Sequence, residues 1–187
     1  MKKLISLSLV PLLSGCLSAS VPKVTQWLLE YKGPVRATRL TKYEVGRVSQ
    51  VTVRSPYNEV GIAVLRADGS MAFDPYNEYA ANPTAMLKGL VFDAMDASGL
   101  FGSVVNSSSS VKAQAMSEVL VSRLALDCRK EGERKAVAAV RIRLISDDGK
   151  ALHAQGEGTA DAKDGNYGAA LSDALSAALN SAFAQFR

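Results

Sequence analysis

Residues 117–160 read SEVLVSRLALDCRKEGERKAVAAVRIRLISDDGKALHAQGEGTA, and the fold is decided there. Over 136–146 the chain alternates, with Val140, Ile142 and Leu144 on one side and Arg141 and Arg143 on the other. That period of two is the mark of a strand with one buried face. Residues 117–128 read as its partner, with Leu120, Leu124 and Leu126 on one face, and 150–160 as a third strand. Arg129-Lys130-Glu131-Gly132-Glu133-Arg134-Lys135 mixes both charges around a glycine and reads as a solvated hairpin loop. Asp147-Asp148-Gly149 supplies a tight turn, so the three runs form an antiparallel meander.

Working outward, Asp164-Gly165-Asn166 opens a helix over 167–185, whose Leu171, Leu175, Leu179, Phe183 and Phe186 make one apolar stripe. Upstream, a helix is predicted over 84–98. Asn82 caps it, Pro83 suits its first turn, Met86, Leu87, Leu90, Val91, Ala94 and Met95 recur at helical spacing, and Gly99 stops it. A short strand over 100–106 follows. Earlier strands are predicted over 24–31 around Trp27, over 47–54, over 60–66, and over 71–73 after the turn Ala67-Asp68-Gly69-Ser70. In the second of these, strict alternation places Val48, Gln50, Thr52 and Arg54 opposite Arg47, Ser49, Val51 and Val53. The order strands, helix, strands, helix predicts an α+β domain, with two main helices packed on a largely antiparallel sheet.

At the N-terminus, Met1-Lys2-Lys3 and the apolar run 4–13 make a signal peptide over 1–15, too short to span a bilayer, which needs about 20 apolar residues. Leu13-Ser14-Gly15-Cys16 resembles a lipobox, which places a diacylglyceryl group on Cys16 and the cut after Gly15. Acylation by more than one chain gives stable anchoring. Residue 17 is leucine rather than the aspartate that commonly retains lipoproteins in the inner membrane, so the anchor is expected at the periplasmic face of the outer membrane. Residues 16–23 form a tether reaching about 25 Å when stretched. Residues 24–187 are expected to form a single periplasmic domain.

Composition narrows the function. The chain carries 22 basic and 18 acidic residues. Loss of Lys2 and Lys3 leaves 20 against 18, with no one-signed cluster of the kind that grips a phosphate backbone, so no nucleic-acid partner is implied. Cys128 has no second cysteine once Cys16 is acylated, and reads as a small apolar residue at a strand end. His153 is the only histidine, so neither a metal site nor a Ser-His-Asp triad has support. Gly156-Glu157-Gly158 lies inside a strand, where close packing explains it better than a phosphate cradle. No catalytic residue, metal ligand or cofactor is predicted. The stretch 74–83, Asp-Pro-Tyr-Asn-Glu-Tyr-Ala-Ala-Asn-Pro, reads as an irregular aromatic loop, and Tyr76 and Tyr79 are the candidate partner-binding residues, with a plug for the end of the core as the equal alternative.

Four features together carry a family resemblance: the lipobox at Cys16; Gln26-Trp27-Leu28-Leu29; Val51-Thr52-Val53 followed by Pro56-Tyr57; and the run from Leu65-Arg66 through Tyr79-Ala80-Ala81-Asn82-Pro83 into a helix ending Ser98-Gly99-Leu100-Phe101-Gly102-Ser103-Val104-Val105. In these the chain resembles the auxiliary lipoproteins of ABC-type lipid-transport systems, a family that includes the paraquat-inducible lipoprotein subunit. Tyr79 stands where that family commonly has tryptophan. The resemblance implies a non-enzymatic subunit whose partners are a mammalian-cell-entry-type periplasmic protein with its permease and ATPase. It also implies partner contact through a sheet edge or the 74–83 loop, and self-association in some members. Two rival readings stay open: a structural or assembly adaptor for wall-building or barrel-assembly machinery, and, ranked last because the chain has one histidine and no convergent acid cluster, an enzyme with an unrecognised site.

Overall fold

A long central strand organises the molecule. The computed structural model describes residues 23–33, 41–163 and 165–186. The expected signal peptide, Cys16, nearly all of the expected tether and Asp164 lie outside the described residues. The elements run β1 (Thr25–Trp27), β2 (Tyr43–Val53), β3 (Gly61–Arg66), β4 (Met71–Tyr79), α1 (Pro83–Ala97), β5 (Phe101–Val105), β6 (Ala115–Cys128), β7 (Lys135–Ser146), β8 (Ala151–Asp161) and α2 (Tyr167–Ala184).

One edge of β6 pairs antiparallel with β7, and β7 with β8, which is the meander read from the sequence. Gly149 takes its turn at φ 82°, a conformation that only glycine adopts freely. The other edge of β6 is shared end to end. β2 runs parallel to its first half and β3 parallel to its last residues. Beyond β2 lies β5, parallel, and beyond β3 lie β4, antiparallel, and β1, parallel to β4. The fold is α+β, with its two longest ladders antiparallel.

Both helices cover the same face. α1 packs on β2 and β5, α2 packs on β6, β7 and β8, and the two meet in one core that includes Val51, Leu87, Met95, Phe101, Ile142, Leu171, Leu175 and Phe183. Asn82 caps α1 as expected, its side-chain oxygen accepting from Thr84 N–H at 2.9 Å. Gly99 leaves α1 at φ 72°. The Leu171 to Phe186 stripe is buried throughout.

Two strands depart from strict alternation. A register shift between Val48 and Gln50 puts Val48, Val51 and Val53 together on the helix side, not on opposite faces. In β6 a shift between Val121 and Arg123 turns Leu120 to the open face, while Leu124 and Leu126 stay in the core. A bulge inserts one residue and swaps the facing of everything after it, which alternation alone cannot register.

The glycines of β8 are explained by the helix above them. A Cβ at Gly158 would lie 2.8 Å from Ala178 N and closer still to Ala174 O. One at Gly156 would lie 2.9 Å from Ala182 N and closer to Ala178 O. α2 therefore rests with its backbone against the strand, its Ala170, Ala174, Ala178 and Ala182 all buried. Residues after β1 then run along α2: Glu30 N–H donates to Ser172 Oγ at 3.0 Å, Lys32 N–H to Ser176 Oγ at 2.8 Å, and Lys32 pairs with Asp173.

Candidate partner-binding surface

The segment read as a loop over 74–83 is mostly strand. β4 continues to Tyr79, and the register jumps between Ala63↔Phe73 and Gly61↔Glu78, so residues 74–77 loop out of the β3 ladder. Pro75 explains the break, since it has no N–H to give a ladder. Asp74 holds the outlying turn, its carboxylate accepting from Tyr76 N–H at 2.9 Å and from Asn77 Nδ2 at 3.0 Å. Asn77 Oδ1 in turn accepts from Trp27 Nε1 at 2.9 Å, and Gln26 donates to Glu78 across the β1–β4 pair.

The two candidate tyrosines part company here. Tyr79 is 1% exposed and packs in the main core. Its hydroxyl has no hydrogen-bond partner among the described residues, and burial pushes its ionisation well above the usual phenol range. It is the plug. Tyr76 is 52% exposed on the outlying turn, and its ring is the one a partner can reach. It stands beside the N-terminal strand, where Val24 and Leu28 are 43% and 67% exposed.

The sheet face away from the helices has no layer over it among the described residues. One end is apolar, with Ala63, Ala125 and Val137 under Tyr57, Leu65 and Met71. The other is a polar trough of about 300 Å³, lined by Thr52, Glu118, Leu120, Arg141, Arg143 and His153. Arg143 is spoken for by Glu118 at 3.2 Å, and His153, exposed on β8, is its cross-strand neighbour. No group of three or more potential metal ligands occurs among the described residues, and no helix there is long and apolar enough to cross a membrane. Cys128 ends β6, half-buried against the core.

Two further carboxylates sit in turns at the ends of strands. Asp127 is held below the usual carboxylate range, chiefly by the Arg129 guanidinium, which donates at 2.9 Å and 2.6 Å. Asp148 in the β7–β8 turn is lowered by Lys150 and Ser146. Both serve turns, and Asp127 also lines an open pocket of about 460 Å³ with Arg129, Lys130, Glu133 and Lys135. The outer edge of β8 is managed differently. Gln185, just past α2, accepts from Gln155 N–H and donates to Gln155 C=O, standing in for a neighbouring strand at that point.

Mixed strand order with two helices on one face is a fold seen elsewhere. A Xanthomonas campestris protein placed in the family DUF330 superposes with a TM-score of 0.64 at 14% identity, over 88% of this chain and 92% of that one. A second, uncharacterised protein superposes at 0.60 and 14% identity, over 88% and 93%. Likeness at this identity concerns the fold alone. No protein-family model matches the sequence, and no curated protein matches it.

Proposed function

We propose that the chain is a lipid-anchored envelope protein which, without catalysing a reaction itself, serves as the auxiliary subunit of an ABC-type, mammalian-cell-entry lipid-transport system. It sits at the periplasmic face of the outer membrane. The observation that carries this reading is the N-terminal order: a charged start, an apolar run, Leu13-Ser14-Gly15-Cys16, and then an aromatic edge strand within a few residues. Support comes from the exposed Val24, Leu28 and Tyr76 beside the point where the chain enters the domain, since apolar side chains there suit a surface held close to membrane or partner. Energy for transport comes from the partner ATPase, as this chain has no nucleotide-binding motif.

The test is a pull-down from detergent-solubilised membranes with the tagged, lipidated protein, beside a Cys16→Ala form, read by mass spectrometry. Recovery of a mammalian-cell-entry-type protein or its permease with the lipidated form is the expected result. Recovery of wall-building or barrel-assembly proteins alone overturns it in favour of the adaptor role.

A further inference from the structure

β2 is paired on both sides for only part of its length. β5 accompanies it from Tyr43 to Arg47 and ends at Val105, whereas β6 follows it on to Val53. From Val48 onward the outer edge of β2 has no strand partner among the described residues. Such an edge presents a row of N–H and C=O groups aimed at an absent neighbour. It is about 17 Å long at the usual rise per residue.

The space beside this edge is shaped. A groove of about 500 Å³ runs between it and α1, with Val48, Ser49 and Val51 on one side and Lys88, Gly89 and Phe92 on the other. Val48 and Val51 form an apolar floor, and Phe92 is half-buried. Lys88 is exposed and is the one charged residue lining the groove.

Gly89 is the telling residue. Glycine inside an exposed helical turn is destabilising relative to alanine. Gly156 and Gly158 offset that kind of cost with close packing, but a Cβ at Gly89 would meet nothing within 4 Å. The domain itself has no use for the missing side chain. A second backbone approaching α1 along the groove does.

We propose that this groove receives an extended segment of a partner protein, which joins the sheet as a strand on the free edge of β2. Its alternate side chains are apolar, resting on Val48, Val51 and Phe92, with a small residue against Gly89 and a carboxylate that pairs with Lys88. The edge selects a peptide backbone over a lipid chain, because an acyl chain has no groups to pair with the free N–H and C=O. Lys88 sets the sign of the charge. The proposal does not depend on the transport reading: the pull-down identifies a partner, whereas the test below needs none, so each can fail alone.

The probe is a display library of random nonapeptides, panned against the full-length protein purified in mild detergent. Enrichment of sequences with alternating apolar residues and an acidic residue is expected. A synthetic peptide of the enriched sequence should bind roughly tenfold more weakly, or worse, to Gly89→Leu, whose side chain fills the groove. That variant should melt no lower than the parent, since leucine suits an exposed helix. Lys88→Glu should switch the selected charge from acidic to basic. No enrichment, or enriched peptides that bind Gly89→Leu as well as the parent, overturns the proposal. So does a self-association in solution that Gly89→Leu abolishes, because a second copy would then be the occupant.

Discussion

Replacing Gly158 with alanine adds one methyl group, yet it should be among the costliest small substitutions in the molecule. The new Cβ would lie 2.8 Å from Ala178 N and nearer to Ala174 O, both backbone atoms of successive turns of α2. Neither can rotate away as a side-chain tip would, so helix and strand must part by more than an ångström. The helix's buried row Ala170, Ala174, Ala178 and Ala182 then loses contact with the sheet. Overpacking of a well-filled core costs about 1–3 kcal/mol, and rigid obstacles put this case at the upper end. The alanine recovers about 0.5–1 kcal/mol because glycine is a poor strand residue, leaving about 2 kcal/mol. With a urea dependence of about 2 kcal/mol per molar, the unfolding midpoint of a form beginning at Lys23 should fall by about 1 M. The double variant Gly156→Ala/Gly158→Ala should cost less than the two single effects together, since a helix already displaced makes room for the second methyl. A midpoint for Gly158→Ala within about 0.2 M of the parent would refute backbone-to-strand packing as the reason for these glycines.

Tyr79→Phe removes a buried hydroxyl that has no partner, and should raise stability by about 1 kcal/mol in the same assay. The folded chain holds the Tyr79 proton above the pH at which the unfolded chain releases it. Stability should therefore fall as pH rises beyond about 10, and the phenylalanine variant should lose less over that window. Asn82→Ala deletes the α1 cap and should cost about 1 kcal/mol, with hydrogen exchange quickening in the first turn before the rest of the helix. Arg129→Ala should let Asp127 titrate nearer the ordinary value of about 3.9, followed by carboxyl NMR. Its folded pKa being the lower one, the stability Asp127 contributes is present above that ordinary value and fades as pH falls through the folded one.

Local structure is legible in the sequence where a single face or cap governs it. The Val140, Ile142 and Leu144 alternation, the glycine turns and the Asn82 cap all stand where the pattern put them. What escaped was set by distant parts of the chain. Nothing near Ser49 or Ser122 announces a bulge, because the shift is fixed by how β2 and β7 lie against β6. The 24–31 strand shrinks to Thr25–Trp27 because the residues beyond it find their partners on Ser172 and Ser176 of α2. Tyr76 and Tyr79 looked equivalent in sequence, being three residues apart in one aromatic run. Their difference follows from the outlying turn that Pro75 forces between Phe73 and Glu78, which leaves Tyr76 outside and returns Tyr79 to the core.

The free edge follows from strand lengths. β6 has 14 residues and needs partners along both edges. β7, with 12, meets that need on one side; on the other, β2 and β3 must stand in tandem, because the chain between them leaves the sheet at Arg54 and re-enters at Gly61. The next position outward is filled at one end by β5, only 5 residues long, and at the other by β4, which belongs to β3. Neither can extend to close the gap. Asn106 and Ser107 leave the sheet at one end, and at the other the chain after Tyr79 turns up into the capped start of α1. A five-residue β5 beside an eleven-residue β2 therefore leaves an unpaired stretch beneath α1, and the glycine on α1 lies over that stretch.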